Sequence, residues 1–471
     1  MNTIYKKTKK GSAIAYGLVL ISVVSIILMS MVNFVVSQLK YGYYVESKET
    51  AFHIAESGIN YYRWYLAHNT DGRTVQQIKD FWQNGSPKGV GSSYVVVYKD
   101  EVGNAIGEYQ IDVTPPNLNS TIIEVQSVGY TYKYPNLKRT IKVRLRRPSW
   151  SEYTALGNNF LRFGDGTAVT GKLFANGGIH FDGVSQNIVY AGVTQYYDSD
   201  NDVKATKPGV WTSWANEYNT NMNSDVFVAG KNFPIPVKDF SAVSSDLNFL
   251  KAEAQAGANG SLYFDNTGAG RRIILKTDGT FDIRTVQNFY GTSKEVHTYN
   301  GAWSTHNIPE EGMIFVEGNI WLEGTINNEK VTIVAANLIS SVDANVFIKN
   351  DIKYTNHDGT DILGIIAQDD IEITENSEDN LEIDAALLAV QGRVGRDTYN
   401  NQKNTITVYG AIATNKRYGF TYVGSSYDCG SFNIGMGYCF RNLNYDNNLL
   451  YYPPPYFPTG DKYLIDLWEE L

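Results

Sequence analysis

The sequence predicts a mainly β protein carried on one N-terminal transmembrane helix. That helix continues into a small α+β domain, and a right-handed parallel β-helix with an inserted α+β subdomain follows. Three observations predict this. Residues 13–36 are an unbroken apolar stretch behind a lysine cluster. Residues 94–145 hold four strand-like runs separated by turn signals. Residues 151–471 return again and again to short apolar runs bounded by Gly, Asn and Asp.

The apolar stretch comes first. Residues 11–39 contain no charged side chain. At about 1.5 Å per helical residue, 13–36 is long enough to cross a hydrocarbon core of ~30 Å. Lys6, Lys7, Lys9 and Lys10 precede it, so the positive-inside rule keeps them cytoplasmic and sends the remainder out. A cleaved secretory signal would have a shorter core followed by a small-x-small site, and 34–40 offers none. Two readings stay open: a plain signal anchor, or a leader cut on the cytoplasmic side of the helix between Gly11 and Ser12.

The residues that decide between them carry a family resemblance. Lys9-Lys10-Gly11-Ser12-Ala13-Ile14-Ala15 resembles the leader and mature start of PilX-type minor pilins of type IV pili. Thr50-Ala51-Phe52-His53-Ile54-Ala55-Glu56-Ser57-Gly58-Ile59 resembles the second half of the same N-terminal motif, at the matching separation. The resemblance covers about the first 65 residues. It implies processing at Gly11/Ser12 by a prepilin peptidase, N-methylation of the new terminus, and a filament helix using Tyr16, Ala51, Phe52, Ala55, Glu56, Gly58 and Ile59. Major pilins carry a glutamate at the fifth mature position, which here is Tyr16. That glutamate offsets a neighbour's charged amine in an apolar core, and an unpaired buried charge is costly. Its loss points to a minor, priming or tip position.

Beyond the membrane the helix should run on to about residue 70, with Ala51, Phe52, Ala55 and Ile59 at helical spacing along one face. Strand-like runs follow at 94–98, 108–114, 122–132 and 139–145. In the last, Ile141, Val143 and Leu145 alternate with Lys142, Arg144 and Arg146. Pro115-Pro116 and Tyr134-Pro135-Asn136 punctuate them. A long helix plus an antiparallel meander is a pilin-like domain, with its expected end near residue 150. The division is therefore 1–11 leader, 12–70 helix, 71–150 sheet and 151–471 β-helix.

In the last region, units at 171–181, 314–322, 331–339, 362–373, 385–394 and 406–413 resemble one another. Aligned on Asn319, Asn337, Asp370, Arg393 and Ala411, they fall 18, 33, 23 and 18 residues apart. An irregular period suits stacked rungs with loops of varied length. Gly364-Ile-Ile-Ala and Ala385-Ala-Leu-Leu-Ala-Val390 are continuously apolar, as in strands covered on both faces. A β-sandwich is the alternative. Residues 196–310 interrupt the repeats. Phe240, Val243, Leu247 and Leu250 make a helical stripe stopped at Gly257, and Thr277-Asp278-Gly279 marks a hairpin. The first rung, Ala175-Asn176-Gly177-Gly178-Ile179, and the tail, Pro454-Pro455-Tyr456-Phe457-Pro458 with Trp468-Glu469-Glu470, more loosely resemble a class of PilX-like bacterial surface proteins.

Chemistry is sparse. Forty Lys and Arg against 49 Asp and Glu give a net charge of -9, which argues against a nucleic-acid partner. No phosphate loop, nucleophile elbow or histidine metal spacing occurs. Asp198, Asp200 and Asp202 alternate like the first ligands of a calcium loop, but Val203 replaces the turn glycine and no closing glutamate follows, so a solvated acidic loop is the competing reading. Asp358, Asp361, Asp369, Asp370 and Glu372 could line a glycosidase-like face or be polar loop residues. Cys429 and Cys439 should pair in an oxidising exterior, the alternative being two reduced thiols. No catalytic residue and no cofactor, calcium aside, is expected.

The expected protein is thus a non-enzymatic minor pilin or pilus-associated surface protein, single-pass in the inner membrane, with its bulk extracytoplasmic and at the pilus or cell surface after assembly. Its expected partners are prepilin peptidase, other pilins through the helix, the membrane, and a surface or carbohydrate ligand reached through adhesion. The alternatives are a membrane-anchored polysaccharide-active enzyme on the same β-helix and a tethered structural protein outside any filament.

Overall fold

The computed structural model describes residues 12–117, 120–214, 225–422, 429, 436–460 and 462–471. A single helix, α1 (Ser12–Thr70), runs for 59 residues, about 90 Å at helical rise. It contains no proline, and it stops at Asp71-Gly72, where Gly72 takes a positive φ of 72°. Up to Glu46 its side chains are exposed. From Ser47 onward one stripe is buried: Ala51, Ile54, Ala55, Ile59, Tyr62 and Leu66. The three- and four-residue spacing is the signature of a helix laid on a flat partner.

That partner is an antiparallel sheet of β1 (Tyr94–Lys99), β2 (Ala105–Thr114), β3 (Ile122–Thr131) and β4 (Tyr134–Arg146). Inward side chains such as Tyr109, Ile111, Val125, Ile141 and Val143 alternate with outward polar ones and close a core with the α1 stripe. Two glycines let helix and sheet touch. A Cβ on Gly129 would lie 2.3 Å from the Ala51 carbonyl oxygen and 2.4 Å from the Ala55 nitrogen, and one on Gly58 would lie 2.2 Å from Ser127 Oγ. A short helix, α2 (Val75–Gln83), follows α1. It is opened by a capping box between Thr74 and Gln77, a T-x-x-Q signal legible in the sequence.

The sheet has a fifth strand that the 71–150 and 151–471 division does not provide for. β5 (Leu464–Glu470) pairs antiparallel with β4. Asp466 is held by Arg144 and Arg146, and Glu470 by Arg139. Three cations of β4, Arg144 and Arg146 on its outer face and Arg139 on the helix side, thus find their counterions on a strand more than 300 residues away. The two chain crossings between domains run side by side: Ser149 bridges Thr459, and the Gly460 N–H donates to the Pro148 carbonyl.

The large head is a parallel β-helix with three faces. On its first face Leu262–Phe264, Gly312–Val316, Lys330–Ala335, Ile362–Ala367, residues 386–389 and residues 411–414 stack in parallel. Ala155–Gly157, Leu173–Ala175, Val189–Ala191 and Lys231–Asn232 continue the same stack. Register is strict. Ile314, Ile333, Ile365, Leu387, Ile412, Ala155, Leu173 and Val189 form one inward column in the interior core. Their neighbours Phe315, Val334, Ile366, Leu388, Ala413, Leu156 and Phe174 form an outward column. α3 (Ser241–Gln255) covers the Phe315 end of that column with Leu247, Leu250 and Ala254, and Pro454, Pro455 and Phe457 pack on the rungs of Thr332 and Gly364, which is why these strands are apolar on both faces. The rungs pair in parallel, which removes the β-sandwich alternative.

Rung order does not follow the sequence. The chain enters the stack midway at Ala155 and proceeds to one end at Asn232. It returns along α3, restarts at the other end at Leu262, and climbs back to its own entry point. There 411–414 pair with 155–157, and Met436–Tyr445 pair with Thr167–Val169. The insertion expected over 196–310 is accordingly not a subdomain apart. Among the described residues, Gln195–Asp198 with Ala205–Pro208 and the hairpin Thr280–Phe289 with Val296–Asn307 project. Val210–Trp211, Lys231–Asn232, Leu262–Phe264 and Gly270–Leu275 are rungs. The second face stacks Gly270–Leu275, Asn319–Ile326, Val346–Tyr354, Ile371–Ile373 and Val394–Arg396, and in the block before α3 Leu161–Phe163, Ile179–Phe181 and Val210–Trp211. The alignment on Asn319, Asn337, Asp370, Arg393 and Ala411 mixes faces, since Asn319 lies on this face, Arg393 adjoins it and Ala411 is on the first.

Gly129→Ala is expected to destabilise the small domain by about 1–3 kcal/mol, because the neighbours it meets are helix backbone. Gly42→Ala, where nothing lies within 4 Å, should be neutral or slightly stabilising. Chemical denaturation of the full chain in detergent, followed by a probe on the small domain, checks the pair.

Candidate functional site

Two features stand out: the free half of α1 and a buried ionic cluster on the head. The free half begins at Ser12 and is the single helix, among the described residues, long and apolar enough to cross a membrane. None of its most apolar window is buried. Ile14, Leu18, Ile21, Ile26, Met29 and Phe34 are all exposed, and Tyr16 is 74% exposed among them. Gly11 and the lysines before it lie outside the described residues, so the expected cleavage position is located only from its Ser12 side. The rest of the expected filament set behaves differently. Ala51, Ala55, Gly58 and Ile59 face inward and hold the chain's own sheet. Phe52 lies half-buried under the Arg139 guanidinium, and Glu56 is 3.5 Å from His53. The motif 50–59 therefore builds the domain's core, and the surface offered to other molecules is 13–46.

On the head, Asp198, Asp200 and Asp202 do come together, but around arginines. Arg162 donates to Asp200 at 2.9 Å and to both oxygens of Asp202 at 2.7 and 2.5 Å. Arg417 also takes Asp200, at 2.8 Å through one nitrogen. Asp198, fully buried, lies 3.3 Å from His180 Nδ1, while His180 Nε2 is 2.8 Å from Asp182. The His180 ring stacks on Trp211 with 3.8 Å between ring centres. Asp182 accepts from the Ser213 N–H and Oγ and from Thr212 Oγ1. Burial works against ionisation of Asp200, yet Arg417 and Arg162 outweigh it and hold its carboxyl below the ordinary range. For Asp182, His180 and Ser213 do the same.

His180, Asp198 and Asp200 are the one trio of metal-ligating type that the described residues bring together. Within the cluster Asp200 and Asp202 meet guanidinium groups, whereas Asp198 faces His180. The cluster pins the hairpin of Gln195–Asp198 and Ala205–Pro208 to the second face of the β-helix. Sequence reading flagged the three aspartates by their alternation. It missed His180, Arg162 and Arg417, which come from separate rungs with no local spacing to betray them. Beside the cluster lies a cleft of about 590 Å³, walled by Arg162, Arg393, Arg417, Arg441 and Tyr422.

The second acidic group is not assembled. Asp358 caps Thr360 in one turn, and Asp361 accepts from the N–H groups of Glu329 and Asn356. Asp369 pairs with Lys416, Asp370 receives the Arg393 N–H, and Glu372 receives the Tyr399 hydroxyl, all at another corner. Cys429 and Cys439 form a disulfide with Cα atoms 5.6 Å apart, and Gln402 Nε2 reaches both sulfurs.

No protein-family model matches the chain, and no curated protein matches it. Among solved structures, the competence-associated pilin ComZ from Thermus thermophilus aligns over 90% of this chain and 98% of its own, at 13% identity and a TM-score of 0.30.

Arg162→Met should destabilise the head at pH 7 by about 1 kcal/mol, since Asp200 keeps Arg417 while the half-exposed Asp202 loses its guanidinium. Arg162 holds the Asp202 carboxyl down to about 2. A depressed carboxylate contributes stability above its unfolded value, about 3.9, and loses it as pH falls through the folded value. The wild-type advantage over Arg162→Met should therefore shrink from pH 4 to pH 2, which paired denaturation curves would measure.

Proposed function

We propose that this chain is a minor pilin or pilus-associated surface protein that displays its β-helical head on a membrane-anchored, pilin-type stalk. One observation carries the reading. The first half of a continuous 59-residue helix is uncharged, apolar and exposed, while its second half is the spine of an antiparallel sheet. Such a helix can rest in a bilayer and later exchange lipid for the helices of other pilins. Tyr16 at the position where major pilins carry glutamate supports a sparse or tip position, as does a head too bulky for a close-packed shaft. The head would serve assembly, priming or adhesion through its surface. A non-enzymatic role accords with the scattering of Asp358, Asp361, Asp369, Asp370 and Glu372 over separate turns and corners.

N-terminal sequencing of the protein from membranes and from sheared filaments tests the proposal. A terminus at Ser12, N-methylated, is expected, together with recovery in the sheared fraction. A terminus at Met1 in both fractions would overturn it in favour of a plain tether.

A further inference from the structure

The end of the small domain nearest the apolar helix has a chemistry of its own. Residues 13–39 are free of charge and span about 40 Å as helix. Lys40 is the first charge after them, and Tyr41, Tyr43 and Tyr44 follow, all exposed. Tyrosines at the end of an apolar span sit at headgroup level. Tyr43 lies only about 6 Å along the helix beyond Leu39, and Lys133 Nζ is 4.0 Å from the centre of its ring. The β3–β4 turn therefore stands at the same height as the tyrosines.

Strand register shapes that turn into a loop. Thr131 pairs with Tyr134, but the next pair is Gly129 with Arg139, so 135–138 are thrown out of the ladder at Pro135. Tyr132, Lys133, Pro135, Asn136 and Lys138 are exposed. Two glutamates share this corner, Glu46 about one helical turn after Tyr43 and Glu108 beside Tyr132, and the others lie farther off. Asp100 and Glu101 are on the β1–β2 turn, across β2 and β3. Glu46 and Glu49 come three and six residues after Tyr43 on the helix. Glu108 is capped by the hydroxyls of Tyr130 at 2.5 Å and Tyr132 at 2.7 Å. Lys40, Lys133 and Lys138 thus outnumber Glu46 and Glu108 at the corner beside the helix, in a chain of net charge -9.

We propose that loop 132–138, with Lys40 and the tyrosines of α1, docks on acidic phospholipid headgroups of the leaflet from which the small domain emerges. The inference rests on the membrane-spanning reading of 13–39. The loop would fix the rotation of the sheet about the helix while the protein waits in the membrane, and release it when lipid is replaced by protein. The occupant is argued from charge and height: lysines and tyrosines together, one helical turn past the apolar run, match a phosphate layer.

Amide hydrogen exchange of the full chain in nanodiscs tests it, comparing phosphatidylcholine alone with discs containing phosphatidylglycerol. Segment 13–39 should be protected in both. Segment 131–138 should exchange several-fold more slowly in the phosphatidylglycerol discs, with the difference erased by high salt. Each of Lys133→Gln and Lys138→Gln should weaken the association about fivefold. Equal exchange of 131–138 in the two discs, with 13–39 protected, would overturn the docking proposal alone. So would slowed exchange that survives both substitutions. Unprotected 13–39 would remove the spanning reading and this proposal with it.

Discussion

The head hangs on one seam. Parallel pairing of 411–414 with 155–157 and of 436–445 with 167–169 joins two blocks of rungs that the chain builds separately, one before α3 and one after it. Nothing local specifies that joint. What specifies it is shape and apolarity: Ile412 and Ala155 continue the inward column, Ala413 and Leu156 the outward one. Because parallel strands expose ladder groups at each edge, each block alone would end in an open edge, and the seam hides both. α3 covers one end of the outward column, so the return path of the chain also shields part of the sheet.

The same logic of a distant segment completing a nearby one recurs in the small domain. β4 presents Arg139, Arg144 and Arg146 at an edge that only the last strand fills. Helix α1 is then free to do two unrelated jobs along one axis. Its second half supplies the core of the sheet, and its first half stays available. Segment 50–59 falls wholly in the half that holds the domain together.

Much of this was legible in residues. The four strand runs, the Asp278-Gly279 hairpin, the α3 stripe and the double-sided burial of 364–367 and 385–390 were all local patterns, and local patterns survive translation into structure. The order of rungs was not legible. Parallel pairing asks only that each rung have the right cross-section, and Ile314, Leu387 and Leu173 are equally good neighbours for many strands. β5 was missed because Leu464-Ile-Asp-Leu-Trp-Glu-Glu alternates poorly: its partner's arginines, not its own pattern, place it. At the ionic cluster the aspartates were visible by spacing, whereas Arg162, His180 and Arg417 converge only through stacking.

The paired crossings between the domains bear on mechanics. β4 leaves for the head at Arg146, and β5 returns from it at Leu464, next to β4 at the same end of the sheet. The turn beside Tyr43 marks the opposite end, toward the apolar helix. A tug on the head against a fixed helix enters the sheet through two neighbouring strands at once and along their length. The load is then shared by the whole row of hydrogen bonds and by the α1 stripe, rather than peeling them one by one. A sheet wired in this way resists extension along the axis that joins the apolar helix to the head.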